Sequence, residues 1–254
     1  MFTLGCDPES FLIDKDGNVV SAIGRIGGSK HEPKPILENY GKGYALQEDN
    51  VLLEYNIPPA SSFSEFTDSI DIVHHYIDRL LADQELARAK IASHSMHPKE
   101  VEHPMAWVFG CEPDFNAWTL KVNPRPRCED PLFRSAGGHI HIGIPNLSKS
   151  QSVAIVRWLD RYVGSYLLKH DPDDQRSKLY GAPGAMRFKE YGLEYRTPSN
   201  WWTFQPTNII EEIYGYIRRA VERGMTGKIN EVKVQGFGPE ILESKEALRS
   251  WAGE

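Results

Sequence analysis

Gly137-Gly138-His139-Ile140-His141-Ile142-Gly143, read together with Leu193-Glu194-Tyr195-Arg196 some fifty residues later, decides the fold. Both segments have a period of two, the spacing of a half-buried strand, so His139 and His141 share one face, as do Glu194 and Arg196. The glycines flanking the histidines remove side-chain bulk and permit close approach of a ligand. Imidazole nitrogens, a carboxylate and a guanidinium converging on one sheet face make a seat for a metal ion and a phosphate. Each half also has a plainer reading, the first as ordinary sheet histidines and the second as a surface ion pair that contributes almost nothing to stability.

The 254 residues are enough to bury a core of reasonable size, and no linker-like stretch divides them, so 1–254 reads as a single domain. Lys and Arg number 29 against 35 Asp and Glu, and the net charge of -6 argues against general nucleic-acid binding and for small-molecule or protein partners. Cys6, Cys111 and Cys128 are odd in number and lack CxxC spacing, which indicates neither a disulfide framework nor a zinc knuckle and fits a reducing cytoplasm. The first residues carry no basic start or long apolar run, and no later stretch approaches the roughly eighteen apolar residues of a span. Neither an export signal nor a membrane span is expected.

Residues 2 to 13 and 18 to 23 are β-rich and flank Asp14-Lys15-Asp16-Gly17-Asn18, an Asp-Gly hairpin signal. Residues 24 to 47, with five glycines and two prolines, read as a long mobile loop of the kind that often carries function. Val51-Leu52-Leu53-Glu54-Tyr55-Asn56-Ile57 is a strand closed by Pro58-Pro59. From Ser62, with Glu65 completing a capping box, Ile70, Val73, Ile77, Leu80 and Leu81 recur at helical spacing to about residue 91. Ser148 with Gln151 opens a second helix carrying Val153, Val156, Leu159, Val163 and Leu167, and residues 208 to 224 form a third. Strands and long helices without regular βαβ alternation predict an α+β fold.

Asp7 and Glu9 lie two apart, so on an extended segment both carboxylates point the same way and a divalent cation would relieve their repulsion; a solvated turn around Pro8 is the alternative. Glu54 is an acid inside an apolar strand and needs water or a charged partner. Arg125, Arg127 and Arg134 crowd the approach to the histidine strand, and Arg187 and Lys189 precede the Glu-x-Arg pair, so several cations are available to a phosphate. Gly110-Cys111-Glu112-Pro113-Asp114-Phe115 echoes Gly5-Cys6-Asp7-Pro8-Glu9, and only Glu112 is retained from it as a candidate. Asp160/Arg161 and Glu211/Glu212 read as solvated helix faces without a role.

An early acid-x-acid segment, Leu52-Leu53-Glu54 before Pro58-Pro59, Gly138-His139-Ile140-His141 and Glu194-Tyr195-Arg196, in that order, resemble the glutamine synthetase and glutamate-cysteine ligase superfamily, and most closely its compact phage-type carboxylate-amine ligases. The resemblance runs from about residue 4 to 200. It implies an antiparallel sheet curved into a half-barrel with helices on its outer face, and ATP-dependent amide formation on its inner one with Mg²⁺ or Mn²⁺. By that resemblance Asp7, Glu9, Glu54, His139 and Glu194 are metal ligands, and Arg196 stabilises the transferring phosphoryl group. His141 and Arg187 look like nucleotide contacts, with Arg134 added to them as a nearby cation. Where relatives carry a further acid about seven residues before the acid matched by Glu54, this chain has Gln47, with Glu48 and Asp49 nearby. Asp49 and Glu112 are candidates for the base that the amine requires.

The expected partners are small-molecule or peptide carboxylates and amines, a homo-oligomer is left open, and the compartment is the cytoplasm, that of the host if the chain is phage-encoded. A metal-dependent hydrolase using the His-x-His strand and a non-catalytic nucleotide-binding relative are the competing readings.

Overall fold

The computed structural model describes residues 1–108, 114–124, 128–173, 175–176 and 180–227. The chain enters as β1 (Thr3–Cys6) and β2 (Glu9–Asp14), turns into β3 (Val19–Val20), and continues through β4 (Lys34–Pro35), β5 (Ala45–Asp49) and β6 (Leu52–Asn56). Helix α1 (Phe63–Ala82) leads to β7 (Leu86–Ala89), β8 (Ser93–Ser95), β9 (Phe115–Asn116), β10 (Phe133–Ser135) and β11 (Ile140–Gly143). Then follow α2 (Lys149–Leu159), a π-helical turn (Asp160–Gly164), α3 (Ser165–His170), β12 (Ala185–Lys189), β13 (Gly192–Tyr195) and α4 (Thr207–Gly224).

Two antiparallel sheets carry the architecture. One runs β1-β11-β13-β12-β9; the other runs β3-β2-β6-β5-β4, with β7 also paired to β2. A short β8–β10 ribbon stands apart. The sheets meet where β1 passes into β2 at Asp7-Pro8. Pro8 has no amide hydrogen to give a ladder, but its carbonyl accepts from Tyr55 N at 3.2 Å, while Leu4 and Ala60 exchange both backbone bonds at 2.7 and 2.8 Å. The chain thus leaves one sheet and joins the next within two residues, and the assembly curls into the antiparallel half-barrel expected. What reads as one strand over residues 2 to 13 is two, because the proline interrupts pairing.

The Asp-Gly hairpin forms as the sequence predicts. The Asp14 carboxylate accepts from Asp16 N and Asn18 N at 3.0 and 2.8 Å, and Gly17 takes the left-handed φ of 83° that the turn requires. The loop assigned to residues 24 to 47 is shorter, since β5 begins at Ala45. Glu48 holds it, accepting from the backbone N–H groups of Gly24, Ile26 and Gly27 at 2.7–3.1 Å.

α1 starts where expected, with Ser62 Oγ accepting from Glu65 N at 3.2 Å, but ends at Ala82 rather than near 91. Glu85 takes a left-handed φ of 56° and Leu86–Ala89 becomes β7 against β2, in register Phe11↔Ala89. Pairing with a buried strand outweighs the modest helical preference of Leu-Ala-Arg-Ala. The second helix opens on a full Ser148/Gln151 capping box and buries Val153, Val156 and Leu159, yet it gives way to a π turn that contains Val163 and precedes Leu167 of α3.

Alternate residues of the central strands, Ile140, Ile142, Leu193 and Tyr195, join one buried cluster with these helix residues and with Ile210, Ile213 and Ile217 of α4. α4 lies close on α2 because Gly224 has no side chain; a Cβ there would stand 2.5 Å from Ile155 Cα. The helices therefore cover one face of the sheet and leave the histidine-bearing face for the site. Among the described residues no helix is long and apolar enough to cross a membrane.

Candidate active site

Strand register lays the polar residues out in rows. Across the first sheet Gly5 pairs with His141, His141 with Glu194, and Glu194 with Arg187, so three charged or imidazole side chains and one glycine form a single rung over four strands. Across the second sheet Glu9 pairs with Glu54 and Glu54 with Gln47. Asp49 lies two residues along β5 from Gln47 and so shares its face. Asp7, on the seam, faces the first row.

Asp7 Oδ1 is 3.2 Å from His139 Nδ1 and Asp7 Oδ2 is 3.2 Å from His141 Nε2. Burial alone would raise the Asp7 carboxyl, but the two imidazoles outweigh it and hold it well below the usual carboxylate range. Conversely, Asp7 overcomes the effect of burial on His141 and lifts its pKa, whereas burial and the Arg196 charge depress that of His139. Glu194 is met by cations from three positions: Lys189 Nζ at 2.8 Å, Arg187 Nη1 at 3.6 Å, and Arg196 Nη1 in direct contact. Arg196 Nε also reaches Asp114 Oδ1 at 2.7 Å.

The second row is acidic and only partly neutralised. Like charges directly opposite on an antiparallel ladder repel, and here Glu9, Glu54 and Asp49 converge with Glu54 only 7% exposed. Burial, and then the Asp49 charge, push Glu9 up to about 8 despite the hydrogen bond it accepts from Gly137 N at 2.5 Å. Burial followed by the charges of Asp7, Glu9 and Asp49 raises Glu54 well above the carboxylate range, and burial raises Asp49.

The residues present fit divalent cations. Asp7, His141 and Glu194 bring ligand atoms within 4.8 Å of one another, and so do Glu9, Asp49 and Glu54. His139 Nε2 is buried without a hydrogen-bond partner among the described residues. Carboxylates with an imidazole suit Mg²⁺ or Mn²⁺.

Several expectations change in this setting. Asp7 and Glu9, either side of Pro8, fall into two different three-ligand groups, though the Asp7 charge still acts on Glu9. His141 converges with Asp7 and Glu194, and His139 Nδ1 stands 3.2 Å from Asp7 Oδ1, 3.9 Å from Glu194 Oε1 and 3.4 Å from Arg196 Nη1. Arg134 is turned to a different task, and its place among the nucleotide contacts is corrected. Its guanidinium donates to Asn50 Oδ1 and to the carbonyls of Ala106, Pro131 and Phe133 at 2.7–2.9 Å, because β10 belongs to the separate ribbon. Arg125, Arg127 and Glu112 lie outside the described residues.

Asp160, read as solvated, is 0% exposed, accepting from Trp118 Nε1 at 2.6 Å and Tyr195 Oη at 2.7 Å behind the Glu194–Arg196 strand; burial pushes it up to about 7. Sequence reasoning also missed Asp114 as the Arg196 partner, although the acid-proline-acid echo marked its segment. The place of Asp49 in the second group follows only from the β5–β6 register.

The model of the phage phiEco32-like COOH.NH2 ligase-type 2 family matches residues 132–234, the stretch that holds His139, His141, Arg187, Glu194 and Arg196. The glutamate--cysteine ligase of Haloferax volcanii is 25% identical over 166 residues, which are 62% of this chain and 41% of that protein. The bifunctional glutathione synthetase from Pasteurella multocida superposes with a TM-score of 0.52 at 12% identity, over 91% of this chain and 40% of that one, and shares the fold. This chain spans about two fifths of the length of each. Over residues 132–234 the chain is thus similar to the phage-type carboxylate-amine ligases, and over a longer stretch to a glutamate--cysteine ligase, while the half-barrel shared with the glutathione synthetase is a likeness of fold.

Proposed function

We propose that this chain, acting as one catalytic domain over residues 1–254, joins a carboxylate to an amine at the expense of ATP through an acyl phosphate. The observation that carries this reading is the pair of facing rows. One three-ligand group, Asp7/His141/Glu194, lies beside the guanidinium groups of Arg187 and Arg196, and a second, Glu9/Asp49/Glu54, lies on the adjoining sheet of the same half-barrel. A carboxylate oxygen is a poor leaving group, so it attacks the γ-phosphorus of ATP and ADP departs. The amine lone pair then attacks the activated carbonyl, phosphate leaves, and the amine proton passes to a base. Small-molecule or peptide acids and amines are the substrates this chemistry takes.

Bound Mg²⁺ or Mn²⁺ would supply charge neutralisation for the phosphates and for the crowded acids. The protein's own contribution is positional and electrostatic. Arg196, clamped between Glu194 and Asp114, presents a fixed guanidinium to the transferring phosphoryl group. Arg187 adds a second cation one strand over. His139 and His141 fix the two oxygens of Asp7.

The test is isothermal titration with a nonhydrolysable ATP analogue, with and without Mg²⁺, on wild type and Glu54→Ala. Binding that needs Mg²⁺ and weakens about tenfold or more in the folded variant supports the site and opens an ADP-release screen of acids and amines. Absence of nucleotide binding, or metal-dependent turnover that ignores ATP, overturns it in favour of a hydrolase.

A further inference from the structure

Between the end of α3 and the segment Thr197–Ser199 lies a cavity of about 40 Å³ lined by Asp171, Arg176, Gly181, Pro183, Thr197 and Ser199. Arg176 is 3% exposed and anchored by one nitrogen, Nη1 donating to Thr197 O at 2.8 Å. Its Nε and Nη2 are buried and find no hydrogen-bond partner among the described residues. Those two nitrogens form the side-on edge of the guanidinium, the edge that takes a carboxylate through two parallel hydrogen bonds. A buried cation with that edge empty is costly unless an anion completes it.

The protein's own acids near Arg176 are engaged elsewhere. Glu9 accepts from Gly137 N, Asp171 from Ser199 Oγ at 2.6 Å and Asp173 N at 2.9 Å, and Asp173 from the backbone N–H groups of Gln175 and Arg176. The pocket adjoins the reaction centre, because the ring of Tyr180 is 5.6 Å from the Arg176 guanidinium and 5.4 Å from that of Arg196. Gly181, at φ 75°, is required there: a Cβ would run into Arg176 Nη1.

We propose that Arg176 is the receptor for a carboxylate of the substrate, bound bidentately by Nε and Nη2 beside Arg196. The inference rests on the ligase reading only for the word substrate. The cavity volume holds about three water-sized volumes, the scale of a carboxylate head and far below that of a nucleotide. Charge favours the same choice over a phosphoryl group. A dianion would sit against Asp171 and Asp173, both of which act on Arg176, whereas a monoanion brings half that repulsion to the pocket.

The experiment follows thermal unfolding of wild type, Arg176→Gln and Arg176→Lys in titrations with acetate, L-glutamate and inorganic phosphate, with Mg²⁺–ATP-analogue binding measured in parallel. The carboxylates are expected to raise the midpoint of wild type, to have no effect on Arg176→Gln, and to bind Arg176→Lys about tenfold more weakly because lysine lacks the planar fork. Arg176→Lys keeps the charge and serves if the glutamine variant fails to fold. Equal stabilisation of all three proteins, or of none, overturns the proposal, and an Arg176-dependent response to phosphate alone reassigns the pocket to a phosphoryl group. Loss of nucleotide binding in wild type with the carboxylate response intact would overturn the ligase reading and leave the receptor standing.

Discussion

Glu9 faces Glu54 directly across the β2–β6 ladder with Asp49 beside them, so burial and mutual repulsion raise all three carboxyls, Glu9 to about 8. The sign of the consequence is fixed. Glu9 moves from an ordinary 4.5 to about 8 on folding, so the stability its bound proton supplies is fully present below the unfolded value and is lost as pH rises through about 8. Asp49 and Glu54 act in the same direction. The metal-free protein is therefore expected to lose thermal stability as pH rises from about 6.5 to about 8, above the range where the depressed His139 titrates, and Glu9→Gln is expected to flatten the curve. Unfolding midpoints across that window check it. Arg196→Ala leaves Lys189 and Arg187 to neutralise Glu194, so the fold should survive while ADP release falls about a thousandfold, the loss typical of a transition-state arginine; steady-state turnover on the circular-dichroism-verified variant decides.

At the scale of elements, the histidine strand is positioned by what its glycines allow. Gly138 N donates to Pro198 O at 3.0 Å, Trp202 Nε1 donates to Gly138 O at 2.9 Å, and a Cβ at 138 would collide with Ser199 O and stand 2.6 Å from Trp202 Nε1. Gly138→Ala is expected to destabilise the protein by about 3 kcal/mol, read from urea denaturation, through overpacking against backbone that cannot yield. The Gly-Gly pair, read from the sequence as room for a ligand, is a packing device against Ser199 and Trp202. The π turn at Asp160–Gly164 was not legible. Its Val163 continues the apolar spacing of α2, and only the buried Trp118 and Tyr195 partners show why Asp160 points inward.

For the molecule as a whole, the two ligand groups sit on two different sheets joined at Asp7-Pro8, so a cation in each would brace the strands of its own sheet and the first would also fix Asp7 at the seam. Mn²⁺ at about a hundredfold its dissociation constant is expected to stabilise the protein by about 2.7 kcal/mol, and EDTA to reverse this. Because Glu9 and Glu54 must shed protons to bind, the gain should grow as pH rises towards about 8, and binding heats measured in buffers of different ionisation enthalpy should report proton release. A metal response independent of pH would mean that the acidic row is not the ligand set.

Local pattern was enough to determine the α+β class, the hairpin at Asp14–Asn18, the Ser62 N-cap, the Ser148/Gln151 capping box and the shared faces of His139 with His141 and Glu194 with Arg196, because period and turn chemistry act over a few residues; at α1 the Glu65 carboxylate accepts from Ser61 N rather than closing a box on Ser62. Register and sheet assignment were left to the tertiary structure. It separated Asp7 from Glu9 at a proline, brought Asp49 beside Glu54 through the β5–β6 pairing, set Asp114 against Arg196, drew Arg134 into backbone contacts and buried Arg176 with an empty edge. Each of these depends on groups distant in sequence meeting under burial, where the strength of a charge is set by its neighbours rather than by its own position in the chain.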